Sequence, residues 1–202
     1  MDKPAIRSDQ KAIVDIVEPG VTVLDLGCGR GELLAELVEK KQVRAQGIEI
    51  DDDAILHCVA LGLNVFHDDI DRGLSEYADQ SFDYVILNQT FQQVRRPDEV
   101  LKESLRVGRK VIVGFPNFAS LSTRYHLGIR GRTPVTPSLP YEWHDTPNLH
   151  FLSVLDFLDY CKKRNMRVER ACYFAKNKKI KLIPNLRADT VVYLISGVVP
   201  GK

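Results

Sequence analysis

The chain is best read outward from Thr22-Val-Leu-Asp-Leu-Gly-Cys-Gly-Arg-Gly-Glu32. A short apolar run carries an acid, Asp25, near its end. A loop with Gly27, Gly29 and Gly31 follows, and a helical pattern starts at Glu32. This order is strand, tight turn, helix, the usual place for a nucleotide-like ligand in an open parallel sheet. Glycine reaches positive φ without steric cost and lets a ligand approach the backbone. Amides at the start of the following helix are expected to face that ligand.

The spacing is not that of a dinucleotide site. A pyrophosphate fingerprint runs G-x-G-x-x-G/A, and its sixth position here is Glu32. Asp25 is also poorly placed beside a pyrophosphate, whereas a carboxylate suits a ligand with an ammonium group. S-adenosylmethionine carries an ammonium and a sulfonium and no phosphate. The stretch resembles the first motif of class I S-adenosylmethionine-dependent methyltransferases. The competing reading is a Gly-rich turn without a ligand.

At 202 residues the chain is expected to form one domain, 1–202. Within it, 1–116 form a cofactor-binding half, 117–150 a lid or insertion, and 151–202 a closing helix and strands. An apolar fraction of 44% and a charged fraction of 27% are ordinary for a globular protein. A net charge of +1 gives no case for nucleic acid or a membrane as partner. Cys28, Cys58, Cys161 and Cys172 form no C-x-x-C pair and read as reduced thiols. The first residues, Met-Asp-Lys-Pro, lack the form of a signal peptide. No apolar run approaches the roughly 20 residues of a membrane span. A cytoplasmic protein is expected.

Periodicity predicts a helix over 7–18, stopped by Pro19-Gly20, and strands at Thr22–Leu26, Arg44–Ile50, Asn64–His67, Phe82–Asn88 and Arg109–Phe115. Helices are predicted at Glu32–Lys40, from Asp51-Asp52 to about Leu61, and at Pro97–Leu105. This alternation implies an α/β, Rossmann-like fold, a mostly parallel seven-stranded sheet with helices on both faces and an antiparallel last strand. From Asn117 the rhythm changes. A helix over 117–129 leads into a Pro-rich segment, 131–147, whose Tyr141, Trp143 and His144 argue for an ordered lid. Ser153-Val-Leu-Asp156 resembles a capping box opening a helix to about Arg164. Met166–Phe174 and Thr190–Ser196 close the sheet, and the basic run Lys176–Lys181 between them reads as a solvated loop.

Ligands collect outside the carboxyl ends of parallel strands. There Glu49 can accept hydrogen bonds from both ribose hydroxyls, or act instead as a helix-capping acid. Asp69 can accept from an adenine amino group while an apolar neighbour, Ile70, covers the ring. Asp68 is expected to face away by strand alternation. Asn88 would lie beside the methionine moiety. The candidate S-adenosylmethionine (or S-adenosylhomocysteine) set is therefore Asp25, Gly27, Cys28, Gly29, Gly31, Glu49, Ile50, Asp68, Asp69, Ile70 and Asn88. No histidine spacing suggests a metal, and no catalytic set is legible. After the fourth strand, Asn88-Gln-Thr-Phe91 matches only the ends of the N-P-P-Y/F motif of amino-directed methyltransferases.

Five further segments carry a narrower resemblance: Phe82-Asp-Tyr-Val-Ile-Leu, Gln92-Gln-Val-Arg-Arg-Pro-Asp-Glu-Val-Leu101, Leu105-Arg-Val-Gly-Arg109, Phe115-Pro-Asn-Phe118 and Leu139-Pro-Tyr-Glu-Trp-His-Asp-Thr-Pro-Asn-Leu-His150. With the glycine loop they resemble the MetW family of methionine-biosynthesis proteins. His144 stands where that family more often has Tyr, and Asn88 where it has a small residue. The resemblance implies a methyltransferase-like fold that binds S-adenosylmethionine and accompanies or regulates a homoserine O-acyltransferase. The alternative is an active methyltransferase on a small metabolite. Tyr141, Glu142, Trp143, His144 and Asp145 are the candidates for substrate or partner contact. Trp143 and Tyr141 could instead pack the loop onto the sheet.

Overall fold

The apolar runs pair into one sheet because their residues are buried on both faces. The computed structural model describes residues 6–197; Met1–Pro4, read above for a targeting signal, lie outside the described residues. The elements are α1 (Ser8–Ile16), β1 (Thr22–Leu26), α2 (Glu32–Lys41), β2 (Arg44–Glu49), α3 (Asp52–Ala60), β3 (Val65–His67), β4 (Phe82–Asn88), α4 (Pro97–Val107), β5 (Gly108–Pro116), α5 (Leu121–Gly128), α6 (Val154–Lys163), β6 (Arg167–Ala175), β7 (Lys178–Ile180), α7 (Pro184–Arg187) and β8 (Thr190–Ser196). The strand order is β3-β2-β1-β4-β5-β8-β6-β7. The first five strands are parallel, and β8 runs antiparallel between β5 and β6.

Alternation divides the core. Leu24, Leu26, Val85, Leu87, Val111, Val113 and Phe115 pack on one face with α4 and α6. Val23, Tyr84, Ile86, Ile112, Val192 and Leu194 pack on the other with α1 and α2. Each such side chain contributes about 1.5–3 kcal/mol by leaving water. Local signals set the helix starts: Asp51 accepts from the Ala54 amide at 2.8 Å. Ser153 and Asp156 form the expected reciprocal capping box.

Three differences from the sequence reading concern the second half. The sheet has eight strands, not seven, because Lys176–Lys181 is not a loop. Lys176 and Asn177 take φ of 46° and 62°, the geometry of a tight hairpin turn, and β7 pairs with β6. The predicted 117–129 helix starts only at Leu121, after Ser120 caps it by accepting from the Thr123 amide. The short α7 carries no periodic signal at four residues.

Candidate cofactor site and its neighbours

The chain lays β2 and β3 on one side of β1 and then crosses to β4 on the other. The reversal leaves a cavity of about 460 Å³ at the carboxyl edge. All the predicted cofactor residues except Gly31 line it: Asp25, Gly27, Cys28, Gly29, Glu49, Ile50, Asp68, Asp69, Ile70 and Asn88. Gly31 sits behind the loop. A Cβ there would come within 2.5 Å of Leu63 and 2.8 Å of the Cys58 sulfur, so it serves packing between loop and α3. Gly29 has φ of 55° and open space where a Cβ would lie, which keeps backbone at the cavity wall.

The amides of the loop itself bond within the protein. Gly27 and Cys28 both donate to the Ile48 carbonyl, at 2.8 and 3.1 Å, and Gly31 donates to Cys28. The Gly29 amide donates to Glu49 Oε2 at 2.7 Å. Glu49 Oε1 accepts from the amides of Ile50 and Asp51 at 2.8 and 3.1 Å. Glu49 therefore ties the glycine loop to the end of β2, while the helix cap itself is Asp51.

Asp68 does not face away. β3 ends at His67, so strand alternation no longer applies, and both Asp68 and Asp69 line the cavity. Asp68 accepts from the Asp69 amide at 2.7 Å, and Asp69 from the Asp71 amide at 3.0 Å, opening a 3₁₀ turn at Ile70–Arg72.

Asp25 is the unusual group. It sits in an otherwise apolar strand, is 3% exposed, and its carboxylate has no hydrogen-bond partner among the described residues. Burial, and then the charge of Glu49, push its pKa up to about 7. Burial likewise pushes the Cys28 thiol far up, so it is held protonated.

The first helix forms where it is predicted, at Ser8–Ile16, but it also brings residues to the site that the sequence does not single out. Asp9 and Gln10, polar residues of this helix, are 4% and 7% exposed. Arg7 holds Asp9 through two bonds of 3.1 and 3.0 Å, and Asn88 Nδ2 donates to Asp9 at 3.0 Å. Asn88 Oδ1 is buried without a partner. Gly114, directly across from Asn88 on β5, leaves it room: a Cβ would lie 2.1 Å from that oxygen. Arg7 and Gln10, with Gln89, Thr90 and Gln93 after β4, complete the near wall. The residue types Arg, Asp and Gln just ahead of Ile13 were the available signal.

The lid candidates do not reach this cavity. Tyr141, Glu142 and Trp143 line a mainly apolar cavity of about 450 Å³ with Phe118, Leu127 and Phe151. His144 and Asp145 are exposed, and His144 lies 3.7 Å from Glu142. Trp143 is 75% exposed, so the packing of this loop onto the sheet does not run through it. The segment is instead pinned behind it. The amides of Leu149 and His150 donate to the Gln92 carbonyl at 2.9 and 3.0 Å, and His150 Nε2 lies 3.0 Å from Val94 O.

Strand order and the glycine loop at the switch point define a class I methyltransferase-like fold. Solved structures agree. One chain of the complex between the Haloferax volcanii Trm112 methyltransferase activator and its candidate methyltransferase has a TM-score of 0.70 at 16% identity, over 95% of this chain and 90% of that one. An S-adenosylmethionine-dependent methyltransferase of Thermotoga maritima has a TM-score of 0.66 at 18% identity, over 94% and 88%.

The narrower assignment comes from sequence. The family profile described as methionine biosynthesis protein MetW matches residues 7–195, and the chain belongs to the MetW family. The bifunctional methionine biosynthesis protein MetXA/MetW of Rhodopirellula baltica is 36% identical over 200 residues, 93% of this chain. The chain spans 32% of that relative's length. No helix among the described residues is long and apolar enough to cross a membrane.

Proposed function

We propose that this protein binds S-adenosylmethionine or S-adenosylhomocysteine at the carboxyl edge and works with a homoserine O-acyltransferase. The observation that carries the first half is Asp25, a buried carboxylate without a partner. Isolated buried charge is costly, and a cation compensates it. Six carboxylates and two guanidiniums line the cavity, and Arg7 is already committed to Asp9. Such a wall repels a pyrophosphate and accepts an ammonium and a sulfonium. Glu49 then takes the ribose hydroxyls, Asp69 the adenine amino group, and Ile50 and Ile70 the faces of the ring. Asn88 stands beside the methionine end.

Calorimetry tests the site. Wild type is expected to bind both ligands, with binding lost in Asp25→Asn and weakened about tenfold in Glu49→Gln through loss of a charge-assisted bond. Unchanged affinity in both variants refutes the assignment.

The partnership is supported by the MetXA/MetW relative, whose name joins the two activities in one chain. It is also supported by the uncovered apolar surface around the lid: Trp143, Phe151 and Leu127, which line one cavity, are 75%, 67% and 55% exposed. Large apolar side chains grouped on a surface mark interaction sites. Arg124, Arg130 and Arg132 border that surface in sequence and suit an acidic rim on a partner. In this reading the bound cofactor adjusts the acyltransferase, which requires different affinity for it in the free and associated states. Acyl transfer by the mixed pair, with and without S-adenosylmethionine, checks it; no complex and no change in rate count against it. The four cysteines are free and buried, which fits a reducing cytoplasm.

A second reading is methyl transfer to a small metabolite. It is favoured by a second cavity that adjoins the cofactor cavity, and a screen for methylated products decides it.

A further inference from the structure

A second cavity, of about 400 Å³, shares Arg7, Gln89 and Gln93 with the cofactor cavity. Much of its remaining wall comes from the 136–141 stretch, from the β6–β7 turn and from Asp189 and Thr190, with Asp9, already paired to Arg7, and Gln92 on the side of the first cavity. We propose that it is a binding site for a small zwitterionic α-amino acid, seated next to the cofactor. The inference does not rest on the cofactor reading.

Three observations carry it. Lys176 lines this cavity and makes no ion pair among the described residues, so its ammonium is available to a carboxylate. Its own backbone amide donates to Asp189 Oδ2 at 2.9 Å. That bond brings an acid and an unpaired cation to one wall, the charge pair that a zwitterion matches. Gln92 also lines the cavity and is 2% exposed, yet its side-chain Oε1 has no partner. A buried unpaired acceptor is costly unless a donor reaches it, and a ligand ammonium is such a donor.

The third observation is the partition between the two cavities. Gln89 takes φ of 63°, a conformation that costs of order 1–3 kcal/mol for a residue other than glycine. It is held there because its amide donates to Gly114 O at 2.7 Å. Its carbonyl also accepts from the side-chain amides of Gln92 and Gln93 at 2.9 and 2.8 Å. Gln89 so held lines both cavities. Ser138 and Tyr141 add hydroxyls to the far wall, which suits a polar side chain on the ligand.

The test is an amide NMR titration of the full chain with L-homoserine and with L-methionine to about 10 mM, the range of weak metabolite binding. It is run without and with saturating S-adenosylhomocysteine. Shifts at Ser138, Tyr141, Lys176 and Thr190 that persist with S-adenosylhomocysteine are expected. The methyl esters, which lack the carboxylate, and the exposed variant Lys176→Gln should each weaken binding about tenfold, as loss of a charge-assisted bond does. S-adenosylhomocysteine affinity should be unchanged in that variant. The proposal is overturned by the absence of such shifts with both amino acids. It is equally overturned by competition with S-adenosylhomocysteine, which would place the amino acid in the cofactor cavity, or by an unaltered Lys176→Gln.

Discussion

Asp25 occupies a position on β1 that alternation assigns to the same face as Val23, and so to the core beneath α1 and α2. Its carboxyl stays protonated in the folded chain up to about pH 7, but in the unfolded chain only to the ordinary carboxylate range near 4. The folded state therefore holds the proton more tightly. This group favours folding in acid, and the advantage is lost as pH rises from about 4 through 7. Asp25→Asn is expected to stabilise the ligand-free protein at pH 8 by on the order of 4 kcal/mol, roughly 10 °C in Tm. At pH 4 it should give no gain. Thermal melts at the two pH values check this. The same proton must leave when a cation binds. Affinity for S-adenosylmethionine should then fall about tenfold per unit as pH drops below about 7, and level off above it. A flat profile by calorimetry from pH 5.5 to 8 would remove Asp25 from the site.

Among the elements, Asn117 shows how the second half is held. It is 1% exposed and stands just past β5. Its amide donates to Asn185 O and Ala188 O at 3.0 and 2.8 Å, and its oxygen accepts from the amides of Ala119 and Val154. One side chain thus joins the approach to α5, the start of α6 and α7. Asn117→Ala would strand two carbonyls and two amides. We expect a loss of about 2–4 kcal/mol in urea unfolding, with the β1–α2 loop unaffected. Only the bond to Ala119 is local; the other partners lie 37, 68 and 71 positions away, so the sequence does not announce the network. The contrast with β1–α2 is physical. There the apolar period, the glycines and the acid all act within a dozen residues, so strand, turn and helix could be read directly. The Arg7–Asp9–Asn88 cluster reaches across 79 residues, so the sequence shows Asn88 as a strand-end residue and Arg7 and Asp9 as part of a distant helix without showing that they meet. The β6–β7 hairpin was missed because Lys176 carries no sign of the positive φ that the turn imposes on it. The end of β3 at His67 misplaced Asp68 for a related reason: alternation tells where a side chain points only while the strand lasts.

At the scale of the whole molecule, the cofactor cavity and the exposed apolar surface belong to different parts of the chain, and substitutions should separate them. Trp143→Ala and Phe151→Ala remove little buried area, so Tm is expected to stay within about 2 °C of wild type, with S-adenosylmethionine binding intact. If this surface seats the acyltransferase, each should weaken the complex by about tenfold or more, as anchoring aromatics do. Surface plasmon resonance against the immobilised acyltransferase reads this, and an unaltered dissociation rate moves the contact elsewhere. The Gln92 carbonyl has a consequence for how such parts would communicate. It holds the Leu149 and His150 amides, and Gln92 lies in sequence between Gln89 and Gln93, which wall both cavities. The deuterium uptake of those two amides is therefore a clock on the attachment of the lid. If occupancy at the sheet edge tightens residues 89–93, exchange at 149 and 150 slows although no ligand touches them.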